Sequence, residues 1–223
     1  MSQEPNTFPS YCKALMRGPL PGREAQITMD PVPEERSLTP GKNNPDTRES
    51  AVLVLVSLDE PASILYTLRN STLLNHAGQI SFPGGRQEQG EYPRDTARRE
   101  AAEEVGIRPH QYEVAGWLSP LFVPPSNFVI QPLLAFCDER PAITIQPAEV
   151  SEAFWVPVRD LLNEKKIKTR EHVIRGKSIQ IPYWDIHSVP LWGATAMITS
   201  ELTTLYRRYL SYKSTKTGNG AAS

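Results

Sequence analysis

The chain has 223 residues, of which 39% are hydrophobic, so it can form one ordinary large domain with a buried core. Its net charge of −1 offers no general attraction to nucleic acid or to an acidic membrane surface, and we expect neither as a partner. The two cysteines, Cys12 and Cys137, are far apart and belong to no Cys-x-x-Cys pair. This spacing argues against a disulfide framework or a zinc ribbon and predicts two reduced thiols that are buried or semi-buried.

Targeting signals are also absent from the sequence pattern. No apolar run reaches the roughly 18 residues of a membrane span, and the first residues lack the charged-then-apolar order of a signal peptide. The final Ala221-Ala222-Ser223 does not resemble a peroxisomal address of the Ser-Lys-Leu kind. These observations predict a cytoplasmic protein.

The first part of the chain divides into an extension and the start of a sheet. Residues 1–50 are rich in proline, and we expect an N-terminal extension that packs on or flanks the domain, with a short helix near Tyr11 to Met16. Ala51 to Val56 is a continuous β-branched and apolar run, which is typical of a strand buried on both faces. Ser63 to Leu68 is predicted as its partner strand.

The second part of the chain, after a loop and helix treated below, predicts further strands and a long helix. Strands are expected at 112–118 and 129–137, a short helix at 158–163, and a hairpin around Val173 and Ile179 that turns at Arg175-Gly176-Lys177. Apolar residues then recur at helical spacing, at Leu191, Ala194, Ile198, Leu202, Leu205 and Tyr209. This stripe favours core packing, with a homodimer surface as the alternative. We therefore expect a domain over 51–210, followed by a disordered tail over 211–223.

The strands and helices alternate in an order that predicts an α/β fold, with a mixed sheet covered on both faces. Within it, the segment Gly85 to Ile107 places Glu100, Glu103 and Glu104 on one stripe of a helix behind a glycine-rich loop. Like charges at this spacing each cost about 0.2–0.5 kcal/mol unless positive charge lies among them. A hard cation such as Mg²⁺ prefers carboxylate oxygens, so these residues are candidate metal ligands.

The alternative is a solvated acidic helix face, and the neighbouring residues weigh against it. Arg99 lies beside the glutamates, and Glu91 precedes it by eight residues, so one side chain can bridge helix and loop. Pro93 suits the first helical position, and Gly106 is typical of a helix end. The opposite helix face carries a stripe of small residues that can lie close to a sheet: Ala97, Ala101, Ala102 and Val105.

The spacing from Gly85 through Glu91, Arg99-Glu100 and Glu103-Glu104 to Gly106 resembles the complete signature of the Nudix hydrolase family. The resemblance implies a Nudix-type α/β/α sandwich that hydrolyses a nucleoside diphosphate linked to another group, using Mg²⁺ or Mn²⁺. It also implies roles for single residues. Glu100 and Glu104 would be the most regular metal ligands, Glu103 often joins them, the Gly85 carbonyl can contribute, and Glu91 and Arg99 would form a structural ion pair.

A second stretch resembles the coenzyme A pyrophosphatase branch of that family. It comprises Leu65 to Asn70, Gly78 and Phe82-Pro83-Gly84-Gly85. Two positions depart from the pattern: Asn70 replaces a small Ser or Ala, and Leu74 stands where an Arg is expected. Leucine cannot supply the phosphate contact that a guanidinium makes. Arg69, Arg86 and His76 are the candidate substrate-binding residues, with His76 equally suited to shaping its loop.

The resemblance predicts cleavage of coenzyme A or acyl-coenzyme A to 3′,5′-ADP and a 4′-phosphopantetheine product. Two alternatives remain open. One is a Nudix hydrolase of another substrate, such as ADP-ribose, NADH or a nucleoside triphosphate. The other is a nucleotide-binding module without turnover. A general base must accept the proton of the attacking water, and the candidates are Glu103, Glu149 and Glu152.

Overall fold

The centre of the fold is a mixed sheet. The computed structural model describes residues 6–32, 47–72, 76–124, 126–174 and 176–219, and within these residues eight strands form this sheet. They are β1 (Arg48–Ser57), β2 (Ser63–Arg69), β3 (Ile80–Ser81), β4 (Gly84–Arg86), β5 (Glu113–Trp117), β6 (Leu121–Val123), β7 (Phe128–Cys137) and β8 (Val150–Pro157). β1 and β7 pair in parallel from Arg48↔Phe128 to Ser57↔Cys137, whereas the other pairs are antiparallel.

Five helices and a smaller sheet surround this centre. The helices are α1 (Phe8–Leu15), α2 (Gly22–Gln26), α3 (Pro93–Val105), α4 (Val158–Leu162) and α5 (Gly193–Asn219). The smaller sheet contains β9 (Ile167–Ile174), β10 (Lys177–Trp184) and β11 (Leu191–Trp192), in the order β11-β10-β9. β9 and β10 form the predicted antiparallel hairpin, although the predicted turn residue Arg175 lies outside the described residues.

The central strand β1 is covered on both faces. Leu53 and Leu55 pack in one apolar cluster with Ala97 and Ala101 of α3. Alternate residues of the same strand, such as Val54, face a second cluster that contains α1 and α5 side chains. The alternation follows from the pleat of a strand, and each fully buried side chain of this size contributes about 1.5–3 kcal/mol. This arrangement confirms the predicted α/β/α sandwich.

The N-terminal segment is part of the second cluster. Pro9 lies in the first turn of α1, and the Thr7 hydroxyl accepts a hydrogen bond from the Ser10 amide at its start. Phe8 is buried, with its ring 5.5 Å from that of Phe136 and 4.8 Å from that of Tyr206. Cys12 is fully buried beside it, and burial raises the pKa of its thiol to about 12. Both cysteines are free and buried, as the sequence predicts.

Three elements differ from the sequence-based expectation. Val150–Pro157 is a strand along β2, where the sequence predicts only a lead-in to the following short helix. Leu191, predicted as helical, lies in β11 and pairs with Trp184 of β10, and α5 begins only at Gly193 (φ 65°). The predicted disordered tail is wrong for residues 211–219, because α5 continues to Asn219. Tyr212 supports the extra turns, since its ring lies 5.4 Å from that of Tyr11.

No helix within the described ranges combines the length and apolarity that crossing a bilayer requires.

A buried carboxylate joins three distant segments on the α5 side of the sheet. Glu201 of α5 is fully buried and accepts hydrogen bonds from the Gly22 amide (3.2 Å), the Ser119 amide (3.2 Å) and the Gln26 side-chain amide (2.9 Å). Each of these three donors is neutral. Burial raises the pKa of Glu201 above the 4.5 of an exposed glutamate. The carboxylate therefore fixes α2 to the core at the cost of desolvating a charge.

We expect Glu201→Gln to change the pH dependence of stability. Because the pKa of Glu201 is raised on folding, its contribution is complete below pH 4.5 and is lost as pH rises through the folded-state value. The wild-type free energy of unfolding, relative to that of the glutamine variant, should therefore fall as pH rises, by about 1 kcal/mol. Urea denaturation of both proteins between pH 4 and pH 8 measures this difference. A difference that grows with pH would contradict the assignment.

Candidate metal and active site

The helix that carries the glutamate cluster has local signals at both ends. α3 begins with Pro93, has Asp95 in its first turn and ends at Gly106, which adopts the left-handed conformation (φ 73°). These residues match the expected start and end. On the face toward the sheet, Ala97, Ala101 and Val105 are fully buried. Small side chains let the helix axis approach β1 closely, which brings the opposite edge of the helix to the glycine-rich loop.

Two glycines of β4 allow close contacts, Gly85 with Glu100 and Gly84 with strand β1. A Cβ atom on Gly85 would lie 2.3 Å from Glu100 Oε1, and one on Gly84 would lie 2.5 Å from the Ala51 carbonyl oxygen. Neither position therefore accommodates a side chain without displacing its neighbour. The Gly84 amide donates a hydrogen bond to Glu104 Oε2 at 3.0 Å. The loop thus contacts both Glu100 and Glu104.

Three carboxylates converge beside this loop. Glu100, Glu104 and Glu149 each offer an oxygen atom, and these atoms lie within 4.8 Å of one another. Glu104 is buried, Glu100 is half-buried and Glu149 is exposed. Burial raises the pKa of Glu104 to about 7, and it also raises the pKa of Glu100. Positive charge among these oxygens would therefore stabilise their ionised forms.

Glu149 lies far from α3 in sequence, and backbone hydrogen bonds bring it to the cluster. The segment before it is bound to the C-terminal end of α3, where the Gln146 amide donates to the Glu104 carbonyl at 2.9 Å. The Asn70 amide donates to the Glu149 carbonyl at 2.8 Å, and the Asn70 side chain donates to the Pro147 carbonyl at 2.7 Å. Asn70, one of the two departures from the subgroup pattern, therefore helps to position Glu149.

Arg99 supplies positive charge next to the cluster. Its Nε donates to Glu91 Oε1 at 3.0 Å, and its Nη1 donates to Glu100 Oε1 at 2.9 Å and to Glu103 Oε2 at 3.0 Å. The hydrogen bond from Arg99, with further bonds from Glu88 and Thr96, lowers the pKa of Glu91 to about 2. This geometry confirms the predicted ion pair between Glu91 and Arg99. Glu103 is largely exposed and engages Arg99, so it lies outside the three-carboxylate cluster.

The three predicted substrate-binding residues lie in different environments. Arg69 is nearest to the cluster: its Nη1 lies 3.4 Å from Glu104 Oε1, and its buried Nε has no hydrogen-bond partner among the described residues. Arg86 is exposed at the end of β4, and its carbonyl accepts a hydrogen bond from Arg99. The His76 ring contacts the Gln79 side chain at 3.0 Å in a residue with positive φ, which favours the loop-shaping role. Leu74 lies outside the described residues.

The remaining candidate base, Glu152, is directed elsewhere. Its carboxylate lies 3.3 Å from His187 Nε2, and the His187 ring stacks on Phe154 with centroids 4.5 Å apart. His187 Nδ1 accepts a hydrogen bond from the Val189 amide, so Nε2 carries the proton that faces Glu152 in the neutral ring. This pair holds the loop after β10 against β8, and Glu152 does not belong to the three-carboxylate cluster.

The donor set fits a hard divalent cation. It offers carboxylate oxygens only, and Mg²⁺ and Mn²⁺ both accept such ligands while retaining positions for water or phosphate oxygens. The buried Glu104, whose pKa is raised by desolvation, is the ligand that such a cation would stabilise most. Among the described residues, Glu100, Glu104 and Glu149 form the one group of this kind.

Comparison with known proteins agrees with this geometry. The family model described as the NUDIX domain matches residues 47–176, which include β1, the glycine-rich loop, α3 and Glu149. The chain belongs to the Nudix family. A solved Nudix hydrolase from M. Smegmatis, RenU, has the same fold, with a TM-score of 0.52 at 17% identity, covering 73% of this chain and 87% of that structure.

Three relatives are similar to this Nudix chain in sequence. A probable Nudix hydrolase of Schizosaccharomyces pombe is 33% identical over 162 residues, which are 70% of this chain and 55% of the relative. An uncharacterized Nudix hydrolase of Photorhabdus laumondii, NudL, is 31% identical over 182 residues, or 79% of this chain and 91% of the relative. A Caenorhabditis elegans protein named peroxisomal coenzyme A diphosphatase is 34% identical over 122 residues, or 52% of each chain. The chain thus spans little more than half the length of two of these relatives.

The sequence of this Nudix protein did not indicate that Glu149 would lie with Glu100 and Glu104. It identifies Glu149 only as a candidate base, whereas the structure brings it into the carboxylate cluster in place of Glu103. The available signal was the acidic residue directly before Val150, at the start of a strand that the periodicity did not reveal. Recognising β8 as the partner of β2 would have placed Glu149 beside Arg69.

We expect Arg99→Ala to lower both stability and activity. The change leaves the half-buried Glu91 without its charged partner and should cost about 2 kcal/mol, or about 4–8 °C in Tm for a domain of this size. Because the pKa of Glu91 is lowered from 4.5 to about 2, this difference from wild type should be full above pH 4.5 and vanish as pH falls toward 2.

Arg94→Ala, at an exposed position on the first turn of the same helix, is the matched control and should leave Tm unchanged. Thermal unfolding followed by circular dichroism measures both variants. Loss of activity in Arg99→Ala with an unchanged Tm would instead assign Arg99 to substrate contact.

Proposed function

We propose that this Nudix protein is a metal-dependent hydrolase that cleaves the pyrophosphate bond of coenzyme A or acyl-coenzyme A. The products are 3′,5′-ADP and 4′-phosphopantetheine or its acyl form. The observation that carries the proposal is the convergence of Glu100, Glu104 and Glu149 beside the glycine-rich loop, with Arg69 next to them. The choice of coenzyme A rests on the resemblance of Leu65 to Gly85 to that branch, and on the C. elegans relative with that name.

Glu100 and Glu104 are the proposed ligands of Mg²⁺ or Mn²⁺, with the carbonyl of Gly85 as a further donor. When bound, the cation neutralises charge on the pyrophosphate and makes a nearby water more acidic. The chain fixes both carboxylates before any ligand arrives. Arg99 holds Glu100, while the Gly84 amide and Arg69 hold Glu104. This preorganisation reduces the rearrangement that binding and reaction require.

Glu149 is the proposed general base. It is the exposed member of the cluster, so solvent water can reach it, and its backbone is held by Asn70. It would accept the proton of the water that attacks phosphorus, while the bond from phosphorus to the bridging oxygen breaks. Glu103 is the alternative base, but its carboxylate is engaged by Arg99 at 3.0 Å. A base bound to a guanidinium accepts a proton less readily.

Arg69, Arg86 and His76 are the proposed contacts to the substrate phosphates. Arg69 is best placed, because its Nε lacks a partner and its guanidinium already lies beside the cluster. A guanidinium can bind phosphate oxygens in a bidentate manner, which fixes the orientation of the scissile bond. Arg86 at the end of β4 and His76 between β2 and β3 would contact parts of the substrate that are more distant from the carboxylate cluster.

The departures at Asn70 and Leu74 favour a second candidate, a Nudix hydrolase of ADP-ribose, NADH or a nucleoside triphosphate. A panel assay separates the two. The purified protein is incubated with Mg²⁺ or Mn²⁺ and each of coenzyme A, 3′-dephospho-coenzyme A, ADP-ribose, NADH and ATP, and products are identified by mass. Release of 3′,5′-ADP from coenzyme A at the highest kcat/KM is the expected result.

Preference for another member of the panel would move the assignment to the second candidate. Absence of turnover with every compound, despite binding of one, would favour a nucleotide-binding module. Comparison of coenzyme A with its 3′-dephospho form tests the departure at Leu74, because a missing phosphate contact of about 1.5–3 kcal/mol reduces discrimination by roughly ten- to a hundredfold.

A further inference from the structure

A groove lies between α1 and the exposed end of α5, on the side of the sheet away from the carboxylate cluster. The groove is shallow and open to solvent, with a volume of about 510 Å³. Tyr11 and Tyr212 supply aromatic walls, and Arg207, Arg208 and Ser211 supply polar groups. α3 with its glutamates covers the Leu53 face of β1, whereas α5 covers the Val54 face. The groove is therefore a separate site.

Exposed positive charge is concentrated along the groove. Residues 202–219 contain four basic residues and no Asp or Glu, in a chain whose net charge is only −1. Arg207 and Arg208 are both exposed, and neither forms an ion pair or hydrogen bond with another described residue. Arg99 and Arg140, by contrast, each contact an acidic side chain. Two guanidinium groups that have no acidic partner among the described residues favour an anionic ligand.

The tyrosine rings favour an anion that also carries a planar group. The rings of Tyr11 and Tyr212 have centroids 5.4 Å apart, at an angle of 40°. Burial raises the pKa of the Tyr11 hydroxyl, and the charge of the nearby Arg208 guanidinium opposes that change. A planar base can pack against a tyrosine ring while its phosphate contacts the guanidinium groups.

We propose that this groove binds a nucleotide, with its phosphates on Arg207 and Arg208 and its base against Tyr11 and Tyr212. The Ser211 hydroxyl lies one turn further along α5 and is placed to donate to a phosphate oxygen. The site does not depend on the hydrolysis proposed above. Because the groove and the cluster lie on opposite faces of one sheet, a nucleotide bound here leaves the carboxylates accessible.

Binding of ADP to the full chain in EDTA tests the proposal. Titration calorimetry measures Kd for ADP, adenosine and inorganic phosphate with the wild type and with Arg207→Ala, Arg208→Ala and Lys213→Ala. Lys213 is the matched control, because it is basic, lies over the Tyr209 ring on the same helix and does not line the groove. We expect each arginine variant to raise Kd for ADP at least about fivefold and the lysine variant to change it less than about twofold. Circular dichroism verifies that each variant is folded, and Ser211→Asp offers a second test, since its added charge should repel phosphate.

Three results would overturn the proposal. One is a Kd for ADP that neither arginine variant nor Ser211→Asp changes. Another is an equal loss in all basic variants, Lys213→Ala included, which would indicate general charge attraction. The third is adenosine binding as tightly as ADP, which would remove the phosphate contact. Because no turnover is measured, failure of the hydrolase assignment would leave these outcomes unaffected.

Discussion

Glu104→Gln is expected to reduce kcat/KM by at least about a hundredfold, because it removes a charged ligand from the proposed metal site. The buried side chain keeps its size, and its amide oxygen can still accept the hydrogen bond from Gly84. Removing a carboxylate whose pKa is raised by burial relieves a desolvation cost, so Tm should not fall. Steady-state kinetics over a range of Mg²⁺ concentrations, together with thermal unfolding, test both parts.

Glu100→Gln should behave in the same way, since Glu100 is the other proposed ligand beside Gly85. Near wild-type activity of either variant at saturating Mg²⁺ would show that the proposed metal site is wrong. Asp95→Asn, in the first turn of the same helix, is the control for a general loss of negative charge and should retain full activity.

Glu149→Gln is expected to lower kcat about a hundredfold with little change in KM, because a general base acts only in the chemical step. Its metal affinity, measured by titration with Mn²⁺, should stay within a few-fold of wild type. If Mn²⁺ affinity falls as far as kcat does, Glu149 is a metal ligand. If Glu149→Gln is active and Glu103→Gln is inactive, the base is Glu103.

Asn70→Ala tests whether Asn70 positions Glu149. The variant loses the 2.7 Å hydrogen bond to the Pro147 carbonyl but keeps the backbone bond to Glu149. It should therefore lower kcat by a smaller factor, roughly three- to tenfold, through misplacement of Glu149 rather than its removal. A pH–rate profile of unchanged shape would separate this positioning role from loss of the base itself.

Helix α3 could be predicted from the sequence because the residues that determine it are local. Pro93 starts it, Gly106 ends it, and the small residues facing β1 appear at helical spacing within a single stretch. The pairing of Arg99 with Glu91 is similarly local, since only seven residues of loop and helix lie between the two. Signals of this kind need no knowledge of the rest of the chain.

Glu149 and the end of α5 could not be predicted in the same way, because tertiary contacts determine both. Glu149 joins the cluster only when the segment before β8 docks on the end of α3. Residues 211–219 have a polar composition that is typical of a disordered tail, yet Tyr212 packs against Tyr11 from the other end of the chain. Composition alone does not report a partner that lies so far away in sequence.

The parallel pairing of β1 with β7 has a consequence for the order of assembly. The chain between these strands includes α3 and the glycine-rich loop, so this pair forms only across the whole helix that carries the glutamates. During synthesis α3 leaves the ribosome before β7 exists, and one side of β1 is then an open edge. Closure of a long loop costs entropy before its contacts form, which makes such pairing slow. A nascent chain that ends before Phe128 should therefore lack Glu149 and leave the β7 side of β1 without its parallel partner.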